Sequence, residues 1–567
     1  MKLPDVETFM DLGWEGIGSL YEELQDRDIQ QDNAPEWLKD WSSLRELLSE
    51  RYARLQLATS LDTRDEEAEK AFHRFLEEIY PPAQAADQAL KEKLLESGLT
   101  PEGMEIPLRK MRAEADLFRE KNLPLLTEER KLGLQYNKIF GKQSVEWEGE
   151  EITLVQLKSK LHTPERAVRE ELWRLLSDRQ LEDREAINEI WEQLMDIRWQ
   201  LAENASKEDY RAYRWQQRTR LDYEPEDSLQ FVDAVETVVV PAANRVYDRY
   251  QERLGLDGLR PWDVIDNKST MDFPVLEAFE TEEEFTSRVS KIYHKLDPTL
   301  GAYFDRMREE DLLDLVNRKG KAPGAFCTSF ATQKRPFIFM NAVGLAPDVR
   351  TLFHESGHAF HVFERAALPY IHQWRPGLEF GEVASTAMEL LASRYVAQEA
   401  GGFFSVEETA RYRRGHLENK LLFWPYMAVV VAFQHWVYEH HQKASDPAAC
   451  DQKWSELVDR FMPAIDWRGL QDVKETGWQR KLHIHREPFY YIEYGLSQLG
   501  AVQIWENALE DQAEALRRYR QSLALGGTAS LPDLYQAAGA EFAFDAGTLA
   551  SAVELIERTL QDLEAVI

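Results

Sequence analysis

The chain of 567 residues carries 101 acidic against 68 basic side chains, a formal net charge of −33. Such a charge repels phosphate backbones and anionic headgroups, which argues against nucleic-acid partners and against membrane binding. Hydrophobic residues at 43% and aromatics at 11% supply a sizeable core and exclude a disordered chain, and the length calls for several domains or one large multi-lobed body.

The N-terminus, MKLPDVETFMDLGWEGIGSLYEEL, is acidic and has no apolar core of the secretory kind. Cys327 and Cys450 stand far apart, with neither disulfide nor metal-ligand spacing, as suits a reducing compartment. The expectation is a cytoplasmic protein. Helical pattern then runs through residues 1 to about 140, with Leu20, Leu24, Leu44, Leu47 and Leu48 recurring at helical spacing among charges. Val145–Leu154, VEWEGEEITL, reads as a small hairpin turning at Glu148-Gly149. It suggests a border between an N-terminal helical lobe, residues 1–160, and a catalytic region, residues 161–567. Helical pattern resumes from Pro164 to about Asn204, and Leu254 to Pro274 reads as loops around short elements. Asn317–Asn341 stands apart, with glycines and prolines before the apolar run Phe337-Ile338-Phe339-Met340, and predicts a small β-sheet. From Asp348 onward helical patterns dominate. The most apolar stretch, Phe423–Phe433, contains Pro425, is too short to cross a bilayer and reads as a buried helix.

The segment His354-Glu355-Ser356-Gly357-His358 carries the chemistry. Histidines four apart lie one turn apart on one face of a helix, where both imidazoles can take one zinc ion. Asp348 is placed to cap that helix at its N-terminus. Glu355 points beside the pair, where its carboxylate can hold an attacking water and take its proton. A catalytic zinc needs a third protein ligand and an open position. The metzincin spacing falls on Glu364 and fails; the thermolysin-type spacing falls on Gly377 and Leu378, with Glu379 close by. A better candidate is Glu382, which shares a helix face with Ser385 and Glu389. Glu389, two turns on, is placed either to hydrogen-bond a ligating histidine or to be an ordinary helix carboxylate.

H-E-S-G-H followed by G-E-V-A-S-T-A-M-E resembles the M3 family of oligopeptidases, which includes thimet oligopeptidase, oligoendopeptidase F and the Pz-peptidases. The resemblance is sharp over about 317–500. It implies that His354, His358 and Glu382 hold one Zn2+ per chain and that Glu355 is the base. His361, a third histidine on the helix, suits no ligand role and is expected to pack or to support a ligand from behind.

Residues 483–500, HIHREPFYYIEYGLSQLG, hold two histidines and three tyrosines. Pro488 suits the first turn of a helix, leaving His483 and His485 in the preceding loop. Hydroxyls and an imidazole held rigidly there can donate to the oxyanion of a tetrahedral intermediate, or the rings can simply pack. The resemblance implies the first: His483, or by the thimet-type spacing His485, is expected to serve the transition state with Tyr491 and Tyr494, and Tyr490 and His485 are expected to contact the peptide. The Phe337–Met340 run would offer an edge strand to an extended peptide, the alternative being a plain core strand.

The expected fold is a mainly α-helical, two-lobed gluzincin with a deep central channel and a small β-sheet next to the zinc helix. The expected activity is hydrolysis of internal bonds of short oligopeptides. A zinc exopeptidase of carboxypeptidase type on a similar fold, or a non-catalytic helical peptide-binding protein, is the alternative.

Overall fold

The computed structural model describes residues 1–265, 268–269 and 275–567. Helices dominate it from Val6–Asp11 to Ala546–Glu564, with three small sheets between them, as the sequence pattern requires. The chain forms two compact units, each assembled from separate stretches. Met1–Ala115, Leu276–Thr409 and Gly500–Phe542 make one; Asp116–Val275, Ala410–Leu499 and Ala543–Ile567 make the other.

In the first unit the N-terminal helices close around Trp37, Trp41, Leu90 and Met104. Both indoles are fully buried and both find acceptors: Trp37 donates to the Leu24 carbonyl at 3.0 Å and Trp41 to Asp87 at 2.8 Å. Burial of such rings therefore leaves no donor stranded.

The sheet that precedes the histidine motif has three strands. Arg335–Ala342 lies in the middle, parallel to Leu313–Val316 and antiparallel to Phe326–Phe330. This corrects the expectation for Phe337–Met340. These residues are buried on both faces of the central strand, so their backbone groups are committed to ladders on both sides. A continuous apolar run, rather than an alternating one, is the mark of a strand covered on both faces. The two edges are Leu313–Val316 and Phe326–Phe330, and most residues of each are only half-buried.

The chain then enters the motif helix, Ala346–Glu364, which packs on both neighbouring strands. Asp348 sits in its first turn rather than at the N-cap. Its Oδ2 accepts the backbone N–H groups of Val343 (2.8 Å) and Leu345 (2.9 Å), tying the incoming turn to the helix start. Phe353 and Phe360 bury against Tyr293 at 5.8 and 5.0 Å between ring centroids. A second helix, Leu378–Ala392, is buried along nearly its whole length and lies against the motif helix.

In the second unit, Ser144–Trp147 pairs antiparallel with Glu150–Thr153. Glu148 and Gly149 both take positive φ in the two-residue turn between them, as a tight hairpin demands. The Phe423–Phe433 run lies inside the long helix Val406–Glu439, which is long and apolar enough by composition to cross a membrane; 83% of its most apolar window is buried within the protein. Of the stretch Leu254–Pro274, residues 266, 267 and 270–274 lie outside the described residues. The rest forms a 3-10 turn, Pro261–Asp263, and the short strands Val264–Ile265 and Lys268–Ser269.

Candidate metal centre

His354 and His358 face the same way from the motif helix, with their rings 5.1 Å apart and nearly perpendicular. Glu382, on the Leu378–Ala392 helix, closes the group. Its Oε2 lies 3.5 Å from His354 Nε2 and 3.8 Å from His358 Nε2. Zinc bonds of about 2.0–2.1 Å in a tetrahedron set ligand atoms roughly 3.3–3.5 Å apart, so two imidazoles and one carboxylate at these separations fit a zinc ion. Among the described residues this is the one set of three such side chains able to share a metal. Glu379, the nearby alternative, is buried and lies close to Tyr535.

Two of the three donors are held by a neighbour. His354 Nδ1 meets Glu389 Oε1 at 2.8 Å, which turns Nε2 toward Glu382. The Ser385 hydroxyl lies 3.1 Å from Glu382 Oε2 and 3.0 Å from the carbonyl of the same residue. Burial pushes the His358 pKa down to about 4, which keeps the ring neutral and its lone pair available. Burial acts the same way on His354, but its hydrogen bond to the Glu389 carboxylate and the charges of Glu389, Glu382 and Glu355 outweigh it and raise its pKa.

Glu355 stands beside the ligand set and outside it. Burial raises its carboxyl to about 7, with His354 and the backbone N–H of Cys327 working in the opposite direction and Glu382 adding to the rise. The Cys327 contact links this carboxylate to the edge strand Phe326–Phe330. His361 is buried a turn beyond His358 and joins no part of the group.

Gly357 explains why the motif has a glycine at its fourth position. A Cβ there would stand 2.4 Å from the Ala384 carbonyl oxygen and 2.5 Å from Ser385 Cα. That carbonyl is itself pinned by the Tyr519 hydroxyl at 2.7 Å. The obstacle is backbone on a buried helix, so it cannot swing aside. Gly357→Ala should force the helices apart, costing roughly 1–3 kcal/mol or more, and carry Glu382 away from the histidines. A lowered Tm together with reduced zinc content is the expected result. A variant with wild-type Tm and full zinc would show that the helix pair yields more readily than this contact allows.

The tyrosine-rich segment belongs to the second unit. Leu482–His485 forms a single helical turn, Arg486–Tyr491 is irregular, and the next helix begins only at Ile492. Pro488 therefore does not open a helix. Phe489 takes φ +62°, a left-handed conformation that breaks any right-handed helix at this point. His483 lies among the three tyrosines, with ring centroids 5.9 Å from Tyr490, 4.9 Å from Tyr491 and 6.1 Å from Tyr494. The Lys481 ammonium donates to the Tyr491 hydroxyl at 2.6 Å. His485 is different. It is 1% exposed and stacked between Tyr136 and Trp478, and its carbonyl accepts from the buried guanidinium of Arg198. The peptide contact expected of His485 is closed to it by this packing.

Sequence reasoning missed Lys481, Tyr519 and the edge strand. Tyr519 acts on Ala384, 135 residues away, and Lys481 on Tyr491 across an irregular turn, and no local pattern announces either contact. The strand FCTSF is short and follows Pro323-Gly324-Ala325; it gave a weaker signal than the apolar run after it.

The Peptidase family M3 model matches residues 159–554, and that of the Peptidase M3 N-terminal domain matches residues 14–105. A Pz peptidase A solved with an inhibitor is similar over 100% of this chain and 99% of its own, with 28% identity and a TM-score of 0.86. The chromosomal oligoendopeptidase F of Lactococcus lactis subsp. cremoris is 24% identical over 342 residues, 58% of this chain and 53% of that one. The oligopeptidase PepF of Bacillus subtilis (strain 168) is 24% identical over 268 residues, 46% of this chain and 38% of its own. The matches thus span less than two thirds of the length of these curated relatives.

Proposed function

The chain belongs to peptidase family M3, and from that membership we propose that it is a zinc-dependent endopeptidase that cleaves internal bonds of short oligopeptides, with one zinc per chain on His354, His358 and Glu382. The observation that carries the reading is the His354–His358–Glu382 group at ligand spacing with the carboxylate of Glu355 beside it. When bound, zinc supplies Lewis acidity, which acidifies water and polarises a carbonyl.

Glu355 takes a proton from the attacking water at its carboxylate and delivers it to the nitrogen of the leaving amine. A group that must both accept and release a proton works best with a pKa near the operating pH, and its burial raises the carboxyl toward that range. The metal's charge pulls in the opposite direction when present. The edge strand Phe326–Phe330 offers backbone N–H and C=O groups to an extended peptide, which gives binding with little demand on side-chain sequence.

His483, Tyr491 and Tyr494 donate to the carbonyl oxygen as it gains negative charge, and Tyr490 contacts the peptide. Lys481 donates to the Tyr491 oxygen, so the phenolic hydrogen stays available for donation. The free thiols of Cys327 and Cys450 suit a cytoplasmic setting.

Peptides blocked at both termini test the activity, with products identified by mass spectrometry. Internal cleavage that stops with chelator and returns with zinc is the expected result. Cleavage confined to peptides with a free carboxyl terminus would replace this reading with an exopeptidase.

A further inference from the structure

Phe489 is a bulky residue in a left-handed conformation, with φ +62°. Strain of this kind persists only where the surroundings over-determine it. Here they grip both sides of the residue. Its N–H donates to Gln434 Oε1, and its carbonyl accepts from Arg220 Nη2 at 2.5 Å. The carbonyl just before it, on Pro488, accepts from Arg218 Nε at 2.9 Å.

The arginines are brought there by a second strained residue. The helix Tyr210–Gln217 ends in a cap where the Thr219 N–H bonds the Gln216 carbonyl at 2.9 Å and the Arg220 N–H bonds the Trp215 carbonyl at 3.2 Å. Glycine usually occupies the left-handed position of such a cap, but Thr219 holds it, at φ +54°. The sharp turn sends Arg218 and Arg220 toward the same loop. Arg220 also meets the fully buried carboxylate of Glu493 at 2.7 Å, and Arg218 lies 5.0 Å over the Tyr490 ring. All of these groups belong to the second unit.

Tyr490 and Tyr491 leave the chain directly after the gripped peptide, and Tyr494 packs on both rings at 5.3 and 5.6 Å. We propose that Arg220 and Gln434 are positioning residues for the hydrolysis, which clamp the left-handed Phe489 peptide from both sides and so set the directions of the tyrosine hydroxyls. The proposal rests on the tyrosine role given above. It adds that the hydroxyls act from an orientation imposed by a strained turn, and that a buried guanidinium and a buried amide impose it.

Steady-state kinetics of Arg220→Gln, Arg220→Lys and Gln434→Met on a blocked peptide test it, with zinc content and Tm measured alongside. A misdirected donor is lost to the transition state more than to the bound peptide. Arg220→Gln and Gln434→Met should each lower kcat at least roughly tenfold while KM moves by less than about threefold and zinc content holds. Arg220→Lys keeps a charge and a donor and should recover part of the loss. Combined with whichever of Tyr490→Phe, Tyr491→Phe and Tyr494→Phe lowers kcat most, Gln434→Met should cost less than the product of the two single losses, because both act through one hydroxyl. Gln434→Met leaves no buried charge exposed to an empty site, so it decides the matter even if Arg220→Gln fails to fold. Wild-type kcat in Gln434→Met, or losses that multiply fully, overturn the proposal while leaving the tyrosine role intact. If all three tyrosine variants keep full kcat, the tyrosine role itself falls and the positioning role with it.

Discussion

Glu355→Gln lowers kcat by at least roughly a thousandfold while the protein keeps its zinc, the upper part of the range for losing a positioned general base. The amide has the shape of the carboxylate and cannot take a proton. The residue is 7% exposed, so a replacement of equal volume disturbs the packing little. It is not one of the three grouped side chains, so the donors on His354, His358 and Glu382 remain in place. The base and the activated water act as one unit, which is why removing the proton acceptor removes most of the acceleration instead of a share of it. Measured kcat on a blocked peptide, beside zinc by elemental analysis, checks both halves. Turnover within about tenfold of wild type would sink the proton-transfer role, since even a modest general base contributes about a hundredfold.

Glu382→Ala is the second large effect, and it falls on the metal. Residues that merely orient a ligand are worth roughly 10–100-fold in metal affinity, so deleting a ligand should cost more than about a hundredfold. Two histidines on one helix face then remain as the only donors of the group, and zinc should wash out on buffer exchange. Activity should vanish with it and return little on zinc addition at micromolar concentration. Glu379→Ala is the companion: it lies outside the group and should keep its zinc. A Glu382→Ala protein that holds a full complement of zinc, beside a Glu379→Ala protein that does not, would move the third ligand to Glu379.

The metal group was legible in the sequence because helical geometry is nearly invariant. Once His354 and His358 are placed on a helix, the one-turn spacing fixes their common face. The placement of Glu382, Ser385 and Glu389 follows by the same rule on the second helix. Glu389 could be paired with a histidine or idle by pattern alone, and only the 2.8 Å contact with His354 decides it. The tyrosine segment was harder to read. A helix from Pro488 is the local expectation, yet Phe489 turns left-handed because Arg220 and Gln434 reach it from more than fifty residues away in sequence. The strand order failed for a related reason: an apolar run reports burial, and nothing in Phe337–Met340 says which neighbour lies beyond it. The make-up of the compact units is also invisible locally, since each gathers stretches hundreds of residues apart.

The backbone contact at Gly357 bears on the frame that carries the metal donors. Two main chains meet where the motif helix crosses its partner, and the Tyr519 hydroxyl holds one of them in place. The spacing of the two helices at this point is therefore set by backbone contact, which fixes where the side chains carrying the donors begin. Raw affinity would favour copper over zinc at most nitrogen and oxygen sites. Two imidazoles and one carboxylate leave the remaining positions of an ion open, so the donor types and the supply of metal, more than raw affinity, decide which ion is held.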